Sequence, residues 1–235
     1  MKKSFLVTAT IICATSLMAA DAKDEITSAA KKLADAGGYT WKHAVEVPEG
    51  SNTRFRPGPT EGKIAKDGTA HLTITRGDNT LEAVLKGQKG AIKTQDGWQS
   101  LAEITESEGQ NPIRFIARIL QNFKPPAAEA QDLASHTTEL KKDGETYAGG
   151  LNAEGVKNLL RFRRPGGDAP EVSGAKGSVK FWTKDGQLSK YQFHVEGKMN
   201  FNGNDVDIDR TTTVEIKQVG DIKVEVPEEA KKKLS

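Results

Sequence analysis

Residues 177–197 read GSVKFWTKDGQLSKYQFHVEG. Successive side chains of an extended strand point to opposite faces, so Val179 and Phe181 share one face, and Tyr191, Phe193 and Val195 continue it on the next strand. Gln192, His194 and Glu196 point the other way. Lys184-Asp185-Gly186 between the two runs predicts a hairpin tip, because glycine tolerates the positive φ of a tight turn. The alternation carries on through Val206 and Ile208, Val214 and Ile216, then Ile222, Val224 and Val226, up to Pro227. A strand series with one apolar face needs cover on that face alone.

Upstream, a second meander is predicted. In the stretch from Tyr39 to Pro48, Trp41, His43 and Val45 alternate with Thr40, Lys42 and Ala44, and Gly50 to Pro59 is a loop by composition. Strands then follow at Gly62–Lys66, Thr69–Arg76, Thr80–Lys86 and Ala91–Thr94, separated by Asp67-Gly68 and Gly77-Asp78-Asn79 and closed by Asp96-Gly97. A hairpin over Thr137–Gly149 turns at Asp143-Gly144, and Pro165–Gly177 is expected to be a loop.

Three helices supply the expected cover. Asp24–Ala36 places Ile26, Ala29, Ala30 and Leu33 on one side and stops at Gly37-Gly38. A second helix starts with Asn111 as cap and Pro112 at the first position, carries Ile113, Ile116, Ile119, Leu120 and Phe123, and ends at Pro125-Pro126. A third, Ala153–Phe162, is capped by Asn152 and carries Val156, Leu159 and Leu160. Glu228 to Ser235 is a charged tail with room for a helical turn.

The 235 residues fit one ordinary domain, and 34 Lys+Arg against 32 Asp+Glu leave a net charge of +2, too little long-range field to draw in nucleic acid or an anionic bilayer. The start of the chain has the layout of an export signal: basic Met1-Lys2-Lys3, an uncharged apolar stretch from Phe5 to Met18, and Ala19-Ala20-Asp21-Ala22 as a cleavage site before Lys23. Residues 1–22 are therefore read as a signal peptide, and residues 23–235 as one periplasmic or secreted domain without a transmembrane segment. The one cysteine, Cys13, lies inside the signal; Thr10-Ile11-Ile12 before it does not make a lipidation motif. Disulfide, thiolate-metal and redox chemistry are excluded for the mature chain.

Catalytic patterns are missing. No G-x-G-x-x-G, P-loop or G-x-S-x-G occurs, and His43, His71, His136 and His194 lie apart on predicted strands without a metal-ligand spacing. Asp205, Asp207 and Asp209 project from one strand face at about 6.5–7 Å intervals, but the EF-hand loop order is absent, so the row reads as a solvated face opposite Val206 and Ile208. Arg161, Arg163 and Arg164 gather at a helix C-terminus, where the macrodipole favours cations; contact with lipid phosphates or an acidic partner is the alternative. Lys231-Lys232-Lys233 is blunted by Glu228 and Glu229. Trp41, Trp98, Phe115, Phe123, Phe162, Phe181, Trp182 and Phe193 are assigned mostly to the core. No enzyme activity, cofactor or metal is expected.

The order of elements resembles the periplasmic lipoprotein carriers and receptors of the LolA and LolB type and the mycobacterial lipid-binding proteins of the LppX and LprG type. The resemblance rests on residues 177–197, on TTTVEIKQVGDIKVEVPEEAKKKL at 211–234, and on GETYAGGLNAEGVKNLL at 144–160. It implies an α+β fold in which a curved antiparallel sheet, an incomplete half-barrel, is covered on its concave face by about three helices. It further implies that a hydrophobic ligand, an acyl chain or lipoprotein, lies under a helical lid. The lid would carry Ile113, Ile116, Leu120 and Phe123 with Val156, Leu159 and Leu160; the wall would carry Phe181, Tyr191, Phe193, Val195, Val206 and Val214. The other reading is an envelope interaction module with the same fold, an envelope protein as partner and no cavity.

Overall fold

The structure, a computed structural model, describes residues 14–49, 58–107, 112–160, 171–201 and 204–234. Eleven strands form one antiparallel sheet: β1 (Gly38–Glu46), β2 (Thr60–Ala65), β3 (Thr69–Arg76), β4 (Asn79–Lys86), β5 (Lys89–Thr94), β6 (Gly97–Ser100), β7 (Thr137–Asp143), β8 (Thr146–Leu151), β9 (Glu171–Lys184), β10 (Gln187–Phe201) and β11 (Asn204–Val219). Their spatial order is β6-β5-β4-β3-β2-β1-β11-β10-β9-β8-β7, and the sheet does not close. Two meanders thus lie side by side, joined by the antiparallel pairing of β1 with β11, in which Trp41 faces Ile216 and His43 faces Val214. The hairpin tip stands where expected: Gly186 has φ +68°, and Asp185 has φ 54°.

Helices α1 (Ala14–Asp35), α2 (Leu101–Glu106), α3 (Pro112–Gln121), α4 (Pro126–Ser135) and α5 (Ala153–Leu160) cover one face. The connectivity forces this. β6 and β7 are the opposite edges of the sheet, which at about 4.8 Å per strand stand about 48 Å apart if flat. The chain from Leu101 to His136 therefore has to cross the sheet, and it does so over the apolar face as α2, α3 and α4. Under them, Ile26 and Leu33 of α1, Leu72 and Ile92 of the first meander, and Phe181 and Tyr191 of the second are fully buried in one cluster.

Several expectations are corrected. The first helix starts at Ala14, not Asp24, and carries Ala22 into the core, so it runs across the expected cleavage site. Leu101–Glu106 and Pro126–Ser135 are helices that the reading missed. The first is set by a capping box, Ser100 Oγ accepting from Glu103 N at 3.1 Å and the Glu103 carboxylate accepting from Ser100 N at 2.8 Å. In the second, Pro126 does not merely end the preceding helix; it opens the next, because a residue at the first helical position needs no N–H. The strand β6 after Asp96-Gly97 was also missed. Residues 171–177, expected as part of a loop, begin β9. Ile222, Val224 and Val226 alternate but form no strand; Val226 packs instead beside Ala230 of α6 (Glu228–Lys233).

That last contact also corrects the one-sided cover. Val84, Ala91 and Trp98 point away from α1–α5 and are buried with Ala230, so α6 shields the outer face of β4–β6. The α+β fold, an open antiparallel sheet covered by helices, is the one expected; the helices number five on one face, with a short sixth on the other. Residues 1–13 with Cys13, the loop 50–57, Asn111, and the Arg161, Arg163 and Arg164 knot with Phe162 lie outside the described residues.

Gly62 sits opposite Trp41 in the β1–β2 ladder, and a Cβ there would lie 2.2 Å from the indole. Gly62→Val is expected to cost about 1–3 kcal/mol by overpacking. Urea unfolding with near-ultraviolet circular dichroism checks it; an unchanged midpoint would mean that the indole does not rest on that glycine.

Candidate functional site

The candidate site is the space between sheet and helices, and the roof has three parts. α2 and α3 lie over β5 and β6, α1 and α4 over β10 and β7 with α1 reaching β9 and β1, and α5 over β8, β9 and β10. Of the expected lid residues, Ile116 and Leu120 are buried in the main cluster, with Ile113 and Phe123 half-buried against it. Phe123 stacks on Trp41, ring centroids 6.1 Å apart. Val156 and Leu160 join a smaller cluster with Val195, and Leu159 touches both clusters. Phe181, Tyr191, Phe193 and Val214 belong to the main cluster, whereas Val206 is half-buried opposite Met199.

The expected residues therefore fall under different parts of the roof. Phe181 and Tyr191 on β9 and β10 lie where α1 and α4 cross, not under α3. The α1–α4 pair is close because both present small side chains, Ala22, Ala29 and Ala30 on one, Ala127, Ala130 and Ala134 on the other. Reading Pro126 as a first helical position would have found α4 from its spacing of Ala127, Ala130, Leu133 and Ala134.

Polar ties hold this roof to the sheet. The Tyr39 hydroxyl accepts from Ala127 N at 3.2 Å, and the Tyr191 hydroxyl donates to Glu129 Oε2 at 2.5 Å. Lys23 of α1 donates to the Thr137 carbonyl, and Glu25 accepts from Lys142 and Tyr147. Arg210 Nη2 of β11 donates to the Leu159 carbonyl of α5 at 2.8 Å. Burial pushes the Tyr39 phenol up to about 12. Beside Arg210, burial and then the guanidinium charge hold the His43 imidazole down to about 4. His43 Nδ1 is enclosed with no hydrogen-bond partner among the described residues.

The other histidines have carboxylate neighbours that linear spacing hides. His71 Nε2 is 3.4 Å from Glu82 and His194 Nε2 is 2.8 Å from Asp209, both across strands. His136 caps the C-terminus of α4 beside Asp132, and so is not on a strand. The aspartate row is answered across the ladder: Asn200 donates to Asp205 at 2.7 Å, Lys198 stands 3.9 Å from Asp207, and His194 holds Asp209. Among the described residues no three metal-ligating side chains gather.

The chemistry open to such a site is apolar burial. Under α1 and α4 the side chains of Ile26, Leu33, Phe181 and Tyr191 are fully buried, and two clefts lie elsewhere. One of about 520 Å³ runs along the outer face of β7–β10 past Lys141, Lys180, Gln192 and His194. The other, about 380 Å³, lies between Asp67, Thr69 and Lys86 and the Val224–Leu234 segment.

Burial raises the Glu129 carboxyl above its ordinary 4.5, with the Tyr191 hydrogen bond opposing. A raised acid binds its proton more tightly in the folded chain, so that stability is fully present below about pH 4.5 and falls as the pH rises through the folded value. Glu129→Gln is expected to flatten this fall and to unfold in urea at pH 7 at or above the parent midpoint. A lower midpoint for the variant at pH 7 would contradict it.

No protein-family model and no curated protein matches the chain. No helix among the described residues is long and apolar enough to cross a membrane. Three solved structures are similar to the chain. The lipoprotein LppX of Mycobacterium tuberculosis has a TM-score of 0.48 at 13% identity, covering 88% of this chain and 99% of that one. LprF from Mycobacterium bovis has 0.45 at 11%, covering 90% and 98%. A LolA superfamily protein from Nitrosomonas europaea has 0.35 at 7%, covering 88% and 95%.

Proposed function

We propose that the chain is an exported, non-catalytic carrier that holds a hydrophobic ligand, an acyl chain or the acylated part of a lipoprotein, between its sheet and its helical roof. The observation that supports this reading is the helical cover of one apolar sheet face. The apolar face of an open eleven-stranded sheet is covered by five helices, which pack on it through apolar side chains and are also tied to it by polar contacts such as Tyr39 to Ala127, Tyr191 to Glu129 and Arg210 to Leu159. A ligand would replace roof contacts with its own apolar surface, driven by about 25 cal/mol per Å² removed from water. The proposed lining is Ile113, Ile116, Leu120 and Phe123, with Val156, Leu159 and Leu160, against Phe181, Tyr191, Phe193, Val195, Val206 and Val214.

A specific observation favours the second reading, an envelope interaction module with a permanently packed interior. Ile26, Leu33, Phe181 and Tyr191 are fully buried against one another's elements, and the two clefts above are lined by other residues. Native mass spectrometry after expression in lipid-rich cells, with titration of a fluorescent fatty acid, separates the two. The carrier reading expects a co-purified acyl species, saturable binding, and a several-fold weaker affinity in Phe123→Ala. Neither adduct nor saturation leaves the packed module.

A further inference from the structure

One buried polar atom is left over by the fold. His43 lies on the roofed face of β1 between Trp41 and Val45, opposite Thr60 of β2 and Val214 of β11, and both Trp41 and Val214 belong to the main cluster. Its Nδ1 is the one enclosed side-chain nitrogen or oxygen without a hydrogen-bond partner among the described residues. Such an atom carries the full cost of leaving water, so an orphan in an otherwise satisfied interior points to a partner from outside the chain.

The surroundings say what kind of partner. Val214, Thr212 and Arg210 alternate on the same face of β11; Thr212 is buried, and Arg210 reaches the roof, its Nη2 donating to the Leu159 carbonyl at 2.8 Å. Burial, and then the Arg210 charge, keep the His43 imidazole neutral at physiological pH, and a neutral imidazole can offer an N–H at Nδ1. Carboxylates on the adjoining stretches alternate to the outer face, where Glu61 meets Lys42, Glu215 meets Lys190 and Asp209 meets His194. An N–H donor near a guanidinium and between apolar walls complements an oxygen anion at the end of a hydrocarbon chain, and repels a cationic amine.

We propose that the β1–β11 seam is the head-group end of the ligand space, with His43 Nδ1 donating to an anionic oxygen, of a carboxylate or a phosphate, and the tail running past Trp41 toward Phe123, which stacks on it. This rests on the carrier reading and narrows its ligand to an amphiphile with an anionic head.

The test is calorimetric titration of the full chain with dodecanoate, dodecyl phosphate and dodecanol, alongside nitrogen spectra of labelled histidine. At least one of the anions is expected to bind about ten-fold more tightly than the alcohol, and the tighter one tells carboxylate from phosphate. The His43 Nδ1 resonance, identified by its absence from His43→Phe, should move with that anion and stay in place with dodecanol. His43→Phe should bind all three about equally and unfold in urea at or above the parent midpoint, because a ring is kept and the orphan is gone. His43→Asn, whose amide nitrogen can stand near the place of Nδ1, should keep part of the preference. Equal affinities in the parent, or a preference that survives His43→Phe, would overturn the proposal and leave the carrier reading standing. A preference lost in both variants without movement of the His43 resonance would overturn it as well, since His43 would then act only through packing. Binding of none of the three would remove the carrier reading and this inference together.

Discussion

A pleated sheet eleven strands wide with most of its large side chains on one face leaves a surface that water cannot wet at acceptable cost, and most other features of the chain answer that problem. Because the two meanders meet at β1 and β11, the segment joining β6 to β7 has to travel from one edge of the sheet to the other. It could cross either face. The alternation that sends Leu72, Ile92, Phe181 and Tyr191 to one side decides which, and α2, α3 and α4 bury their own apolar stripes in crossing it. α1 and α5, which precede and interrupt the strands, fill what the crossing leaves open.

Much of this was legible from residues alone, for reasons that differ by element. The strands of both meanders and the tips at Asp67-Gly68, Asp143-Gly144 and Asp185-Gly186 declare themselves by a period of two and by turn chemistry that few other residues satisfy. α3 and α5 declare themselves by a strong stripe and a cap; Asn152 Oδ1 does accept from Gly155 N at 2.8 Å. What escaped was short or rich in alanine. α2 is six residues, and α4 buries alanines that composition does not mark as core. Ile222, Val224 and Val226 show the converse: alternation marks a face, but a strand also needs a neighbour to pair with, and α6 claims Val226 instead.

The site was legible as a set of side chains and not as an arrangement. Sequence spacing places Phe181 and Tyr191 on one face, yet says nothing of which helix lies above them, and it was α1 with α4. The polar ties were invisible for a similar reason. Tyr39, Tyr191 and Arg210 look like ordinary strand residues until Ala127, Glu129 and Leu159 are brought over them by a chain reversal of long range. Each tie puts a polar group into a poorly hydrated place, where losing its partner costs more than making the bond gained.

The seam between β1 and β11 also has a temporal side. The strands that pair there come from opposite ends of the sequence, so the contact closes a very long loop and is made only after most of the chain is available. Topologies dominated by such distant pairings reach their folding barrier slowly. Until the seam forms, each meander presents an unpaired edge, and unpaired edges are templates for the wrong partner. The interval before the two halves meet is when this chain is most exposed to aggregation.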